Sequence, residues 1–91
     1  MRTYQTDSRP DVIEFTNYQR ADESELFGGI LEFLKKNPEV TIGRKQTGPS
    51  EDYYHCSLSG VPFTLLFDLD YGTRIHSDNA KVVRELIEYF D

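Results

Sequence analysis

Residues 53–67 read YYHCSLSGVPFTLLF, and the dipeptide at residues 59–60, Ser-Gly, divides this stretch into two runs rich in apolar residues. Ser-Gly between two such runs is typical of the two-residue turn of a β-hairpin. On one side of the predicted hairpin the facing pairs are Leu58 with Val61, Cys56 with Phe63, and Tyr54 with Leu65. On the other side they are Tyr53 with Leu66 and His55 with Thr64. The first side is apolar throughout, so we expect it to be buried and the second side to be exposed.

The stretch at residues 67–76, FDLDYGTRIH, extends this hairpin and concentrates charge. Its odd positions continue the buried side, so alternation places the two aspartates on the exposed side. A loop at residues 71–73 with Gly72 at positive φ predicts three further pairs, Leu69 with Ile75, Asp70 with Arg74 and Asp68 with His76. Exposed pairs of opposite charge contribute less than about 1 kcal/mol each. They account for these charged residues without a catalytic site.

A first helix is predicted over residues 23–36. Asp22 and Glu25 have the spacing of a capping box, and apolar residues then recur on one helical face. These inward residues are Leu26, Phe27, Ile30, Leu31 and Leu34. After the helix, Asn37 and Pro38 suit a left-handed cap and a stop. The helix is therefore expected to pack one apolar face on the rest of the domain.

Two glycines, Gly28 and Gly29, lie inside this helix. Each destabilises a helix by about 1 kcal/mol relative to alanine, so a compensating role is expected. Close approach of the helix to a sheet is the simpler explanation. The alternatives are a kink, or a surface at which a partner contacts the bare backbone.

A second helix is predicted to follow Ser77 or Asp78, either of which can act as its N-cap. Its inward positions are Ala80, Val83, Leu86, Ile87 and Phe90. Strands are also predicted at residues 12–18 and 40–45. The elements then follow the order β-α-β-β-β-(β)-α, in which the bracketed strand is a short one before the last helix.

This order predicts the α+β class, with a mainly antiparallel sheet and two helices packed on one face. A chain of 91 residues leaves room for a single small domain. We expect that domain to span residues 11–91. Residues 1–10 are polar and end in a proline, which predicts a flexible lead-in.

Charge and cysteine content limit the classes of partner. Sixteen Asp and Glu residues against ten Lys and Arg give a net charge of −6, which repels nucleic acids and anionic membranes and favours a basic partner. Cys56 is the single cysteine, so no internal disulfide can form, and the reducing cytoplasm is the expected location. There is no signal-peptide pattern and no run of about 20 apolar residues, so no membrane span is predicted.

Two groups of residues are candidates for chemistry, and neither has the companions that chemistry needs. Asp68, Asp70 and His76 lack the further ligands that a divalent metal requires. A Cys56 nucleophile would need a base, but the adjacent His55 points to the opposite side of its strand. No standard catalytic motif occurs in the chain. We therefore predict no catalytic residues, no metal and no cofactor.

The element order α-β-β-β-α resembles that of double-stranded RNA-binding domains. The resemblance implies an RNA partner held by a basic cluster at the start of the last helix. The corresponding residues 77–81 read SDNAK here, and the net charge is negative. We therefore predict no nucleic-acid partner.

The function that remains is a small acidic, non-catalytic protein-binding module, of the inhibitor or immunity type, for a basic partner. The predicted partner-binding residues are Asp68, Asp70, Tyr53, Tyr71, Leu66 and His76. One alternative is a small enzyme subunit or ligand-binding domain that another chain completes. Another is a homodimeric structural protein joined along the outer face of the sheet.

Overall fold

A computed structural model describes residues 3–6, 8–16, 22–68 and 72–91 of the chain. Its elements are β1 (Thr3–Tyr4), β2 (Val12–Phe15), α1 (Glu23–Lys35), β3 (Val40–Thr47), β4 (Glu51–Leu58), β5 (Val61–Asp68), β6 (Gly72–His76) and α2 (Ala80–Phe90). The predicted α+β class is confirmed, and the bracketed strand is present as β6. β1 is an additional strand within the segment that the sequence assigns to a flexible lead-in.

All strands belong to one antiparallel sheet in the order β1-β2-β6-β5-β4-β3. From β3 to β6 the chain forms a meander, in which consecutive strands are neighbours. β2 joins this meander beside its last strand. The connection that contains α1 therefore runs from β2 to β3 at the far edge of the sheet, which places the helix over one face.

The central hairpin, β4–β5, has the predicted register in every pair. Its turn residues Ser59 and Gly60 have φ angles of 51° and 84°. Positive φ at both central positions is the requirement of a type I′ turn, whose twist matches that of the two strands. Cys56 is 6% exposed, which confirms the predicted burial of the apolar side.

The pairing of β5 with β6 differs from the predicted register. The observed pairs include Thr64 with His76, Leu66 with Arg74, and Asp68 with Gly72. The predicted pairing of Asp68 with His76 is therefore wrong. The strand position opposite Arg74 is held by Leu66, and Asp70, its predicted partner, lies outside the described residues.

Burial of Ile75 explains the observed register. This residue faces Leu65, and both side chains are 0% exposed at the centre of the core. The predicted and observed registers differ by an even number of residues, so every side chain keeps its predicted side of the sheet. Gly72 has a φ of 78°, as predicted, but it begins β6 instead of lying within the loop.

Both helices pack on one face of the sheet, as predicted. One core joins the two helices to the strands, and its buried residues are Ile13, Phe15, Phe27, Ile30, Leu34, Cys56, Leu58, Phe63, Leu65, Ile75, Val82, Val83, Leu86 and Phe90. The C-terminal ends of the helices meet, since the Phe33 and Tyr89 rings stack with centroids 4.5 Å apart. The Tyr89 hydroxyl also donates a hydrogen bond to the carbonyl of Phe33.

Helix α1 begins as predicted but ends differently. The Asp22 carboxylate caps it by accepting a hydrogen bond from the Ser24 amide at 2.9 Å. At the other end the C-cap is Lys36, which has a right-handed conformation. The predicted left-handed cap at Asn37 is wrong, because among the described residues positive φ at a non-glycine is confined to the hairpin turn. The Asn37 side chain instead accepts a hydrogen bond from the Glu39 amide.

The N-cap of α2 is Asn79, which corrects the prediction of Ser77 or Asp78. The Asn79 side chain accepts hydrogen bonds from two amides of the first turn, at 2.9 and 3.1 Å. The Ser77 hydroxyl donates instead to a backbone carbonyl of β5. The inward face of the helix begins at Val82, which is buried, whereas Ala80, predicted to face inward, is exposed.

The two helix glycines do not lie against the sheet. Gly28 and Gly29 are both exposed, and a Cβ atom added to either would meet no atom within 4 Å. The close-approach explanation is therefore wrong. The two alternatives, a kink in the helix and a surface at which a partner contacts bare backbone, remain as explanations.

Candidate functional site

The candidate functional site is the face of the sheet that the helices leave uncovered, here called the open face. Its middle row crosses all the strands in register through Tyr4, Glu14, Arg74, Leu66, Tyr53 and Gln46. In β2, β6, β5 and β4 each of these residues has at least one sequence neighbour that belongs to the core or packs against it on the other side, namely Ile13, Phe15, Ile75, Leu65, Phe67 and Tyr54. Strand alternation therefore points this row away from the helices.

Tyr53 and Leu66 form the aromatic and aliphatic part of this row. They face each other directly across β4 and β5, and both are half-buried. Tyr4, on the edge strand β1, is 49% exposed. Tyrosine and leucine on an uncovered sheet supply apolar contact area, and the tyrosines also supply a hydroxyl that can donate or accept a hydrogen bond.

A second row of the open face contains Val12, His76, Thr64 and His55. Asp11, which directly precedes β2, contacts His76 of this row. The Asp11 carboxylate lies 3.0 Å from Nε2 of His76 and 3.2 Å from Nε of Arg9. The hydrogen bond from Arg9 is the main reason that the pKa of Asp11 lies below its usual value. His76 is thus paired with Asp11 and not with Asp68.

The third row lies at one end of the open face and contains two carboxylates. Glu51 and Asp68 face each other directly in β4 and β5. Asp68 is only 8% exposed, so its predicted exposure is wrong. Glu23 of α1 reaches the same end, since its carboxylate lies 3.0 Å from the position of a Cβ atom on Gly72. Asp52 lies at the same end of β4 but on the helix side of the sheet. The carboxylates at this end of the sheet, on its two faces, are here called the acidic end: Glu23, Glu51, Asp52 and Asp68.

The structure brings some of the predicted partner-binding residues together and separates others. Tyr53 and Leu66 are in contact register on the open face, and His76 lies one row away on the same face. Asp68 is on this face but buried, while Asp70 and Tyr71 lie outside the described residues.

Sequence reasoning missed Tyr4 and Glu14 as members of the open face, and it placed Arg74 on the exposed side only as the partner of Asp70. Tyr4 belongs to a strand of two residues, which is too short for an alternation pattern. Glu14 and Arg74 face each other across β2 and β6, which are far apart in the chain. The alternation of Val12–Phe15 was a usable signal for Glu14, because it alternates with the buried Ile13 and Phe15.

Cys56 has the surroundings of a structural thiol. Burial raises the pKa of this thiol above its usual value, which disfavours the nucleophilic thiolate. The His55 ring lies on the open face against Tyr53, with centroids 5.4 Å apart. Within the described part of the chain, no three Asp, Glu, His or Cys side chains are arranged to hold a metal ion.

Comparisons with known proteins find no matching family model, no matching curated protein and no matching solved structure. In the described residues, neither helix has the length and apolar character needed to cross a membrane.

Proposed function

We propose that this chain is a small, non-catalytic protein-binding module that binds a basic partner on its open face. The observation that carries the proposal is the position of the half-buried Tyr53–Leu66 pair directly beside Glu51, whose cross-strand partner Asp68 is itself buried. Apolar contact area and the accessible carboxylate of Glu51 thus occupy adjacent rows of the open face.

The chemistry of the surface supports this type of partner. Tyrosine is favoured at interfaces, where its ring is buried and its hydroxyl stays hydrogen-bonded. The net charge of −6 attracts a basic protein over a distance of about one Debye length, roughly 10 Å, and accelerates encounter. At the middle of the open face, Glu14 and Arg74 add charges of both signs, which favour one orientation of the partner.

An inhibitor or immunity-type role is the specific form of this proposal. Such a protein acts by covering the surface of its target, so it needs a complementary face and no catalytic group. The burial of Cys56 and the engagement of His76 by Asp11 agree with that role. The proposal keeps the cytoplasm as the location, because the lone cysteine suits a reducing compartment.

Site-specific photo-crosslinking in the native host tests the proposal. A photoreactive phenylalanine analogue replaces Tyr53 in one variant and Tyr4 in another, and Arg84 in a matched control on the exposed side of α2. We expect one basic protein to be crosslinked from both open-face positions and not from Arg84. Its affinity for the purified chain should fall as salt rises.

Other outcomes contradict the proposal. Crosslinks from Tyr53 and Tyr4 only to a second copy of the chain would support the homodimeric alternative. A partner crosslinked from Arg84 alone would place the interface on the helices. An affinity that does not change with salt would argue against a basic partner.

A further inference from the structure

A surface groove lies on the helix side of the sheet, between α1 and the ends of β3 and β4. This groove has a volume of about 260 Å³, and its lining residues are Ser24, Phe27, Gly28, Leu31, Lys45, Asp52, Tyr54 and Phe67. Its floor is aromatic, since the Phe27 ring lies 5.8 Å from Tyr54 and 5.1 Å from Phe67, measured between centroids. We call it the α1 groove.

A β-bulge directs a lysine into this groove. In β3, Ile42 faces Cys56 and Lys45 faces Tyr54, so the two intervening residues oppose a single residue of β4. Without the extra residue, alternation would point Lys45 to the open face. The bulge therefore places it on the helix side, which is a known use of bulges beside functional sites.

The Lys45 ammonium pairs with Asp52, whose carboxylate is the one that lines the groove among the described residues. Its Nζ lies 3.6 Å from Oδ2 of Asp52, and the two side chains are 54% and 31% exposed. An ion pair this exposed is weak and exchanges readily with other cations. The chain thus places a positively charged group of its own beside an aromatic floor and a carboxylate.

The wall of the groove that α1 forms has no side chain at Gly28. Ser24, Gly28 and Leu31 follow one another at helical spacing along this wall. A Cβ atom on Gly28 would meet no atom of the chain within 4 Å, so the glycine is not required by internal packing. It leaves the groove accessible from the solvent.

We propose that the α1 groove binds the side chain of an arginine from the basic partner. The guanidinium would stack on the aromatic floor and donate hydrogen bonds to Asp52, and Lys45 would swing into solvent. This inference rests on the proposed function for the charge of the partner, but it uses the opposite side of the sheet. Its ligand is a guanidinium group on an extended peptide segment.

The lining of the groove fits an arginine side chain better than a lysine or an aliphatic side chain. A guanidinium is planar, stacks on aromatic rings and forks onto a carboxylate, whereas an ammonium is a compact and strongly hydrated charge. An aliphatic side chain would match the aromatic floor but would make no use of the charge and hydrogen-bonding oxygens of Asp52. Charge complementarity also favours a cation, because the net charge of the chain is −6.

Titration of the whole chain with three peptides, followed by amide chemical shifts, tests the inference. The probes are acetyl-Gly-X-Gly-amide with arginine, lysine or leucine at X. We expect the arginine peptide to shift the amides of Gly28, Leu31 and Asp52, with a dissociation constant of about 1 mM or weaker. Asp52→Asn should weaken this binding about tenfold.

Two matched pairs of variants separate the groove from general electrostatics. Lys45→Gln removes the internal competitor and should tighten arginine binding by about two- to fivefold. Lys81→Gln changes the net charge equally, away from the groove, and should leave the affinity nearly unchanged. Gly28→Ala narrows the groove and should weaken binding, whereas Gly29→Ala, which does not line it, should not.

Several results would overturn the inference. Equal or tighter binding of the leucine or lysine peptide would remove the assignment to arginine. Shifts confined to other residues, no shifts at all, or equal effects of Lys45→Gln and Lys81→Gln would remove the site. Crosslinking at Tyr53 and Tyr4 reports the open face, so failure of either proposal is recognised independently of the other.

Discussion

Gly43 lies so close to the backbone of His55 that a Cβ atom on residue 43 would come within 3.0 Å of the His55 carbonyl oxygen. This contact occurs at the bulge of β3, where two residues oppose one residue of the neighbouring strand. Backbone atoms cannot yield as a flexible side chain can. A glycine is therefore required for the bulge in its observed form.

We predict that Gly43→Ala is destabilising by about 1 to 3 kcal/mol, because the added methyl group forces the two strands apart. Urea unfolding measures this change. Gly48→Ala is the control: its Cβ would lie 3.5 Å from the nearest atom, which is ordinary contact. A Gly43→Ala variant as stable as the control would show that the bulge tolerates a side chain.

The opposite result is expected for the exposed helix glycines. Gly28→Ala and Gly29→Ala should each raise the free energy of unfolding by about 0.5 to 1 kcal/mol, because alanine favours the helix and no atom lies in the way. Thermal or urea unfolding measures both. A loss of stability in either variant would mean that the helix needs bare backbone at that position for internal reasons.

The sequence predicted best where local chemistry and burial agree. In the β4–β5 hairpin, Ser59 and Gly60 fix the turn, and the apolar side of the strands fixes the register. In the next hairpin the turn chemistry of Gly72 permits more than one register. Burial of Ile75 against Leu65 decides between them, and this burial depends on the helices that cover both residues.

The candidate site was predictable only in part. Tyr53 and Leu66 follow from the register of one local hairpin. The rest of the open face depends on contacts between distant parts of the chain, such as Tyr4 with Glu14 and Glu14 with Arg74. The bulge that turns Lys45 towards the helices is indicated in the sequence only by Gly43. A glycine at this position is equally compatible with a regular strand or a turn.

The N-cap of α2 provides a third prediction. Asn79→Ala should lower the free energy of unfolding by about 1 kcal/mol, because two amides of the first turn lose their acceptor. Asp78→Ala is the control, since its side chain does not cap the helix, and the ion pair that it loses, at 3.5 Å from Nε2 of His76, is exposed and contributes little. Urea unfolding of the two variants should rank them in this order. If Asp78→Ala were the more destabilising change, the N-cap would be Asp78, one of the two residues that the sequence predicted.

The N-cap of α1 makes stability depend on pH. The Asp22 carboxylate accepts hydrogen bonds from the Ser24 hydroxyl at 2.6 Å and from the Ser24 amide at 2.9 Å. The hydroxyl is the larger cause, and both lower the pKa of Asp22 from its usual 3.8. A carboxyl whose pKa is lower in the folded state binds fewer protons there than in the unfolded state. Its contribution to stability is therefore fully present above pH 3.8 and is lost as the pH falls through the folded pKa.

Asp22→Asn tests this dependence, because asparagine keeps a good N-cap without the charge. At neutral pH the native chain should be the more stable one, since a carboxylate also interacts favourably with the positive end of the helix dipole. The difference in free energy of unfolding should shrink as the pH falls below 3.8. In a second variant, Ser24→Ala, loss of the hydroxyl should move the pKa of Asp22 back towards its usual value, as measured by NMR titration of the carboxyl carbon. A difference between the native chain and Asp22→Asn that stays constant from neutral to acid pH would show that the charge of Asp22 does not stabilise the helix.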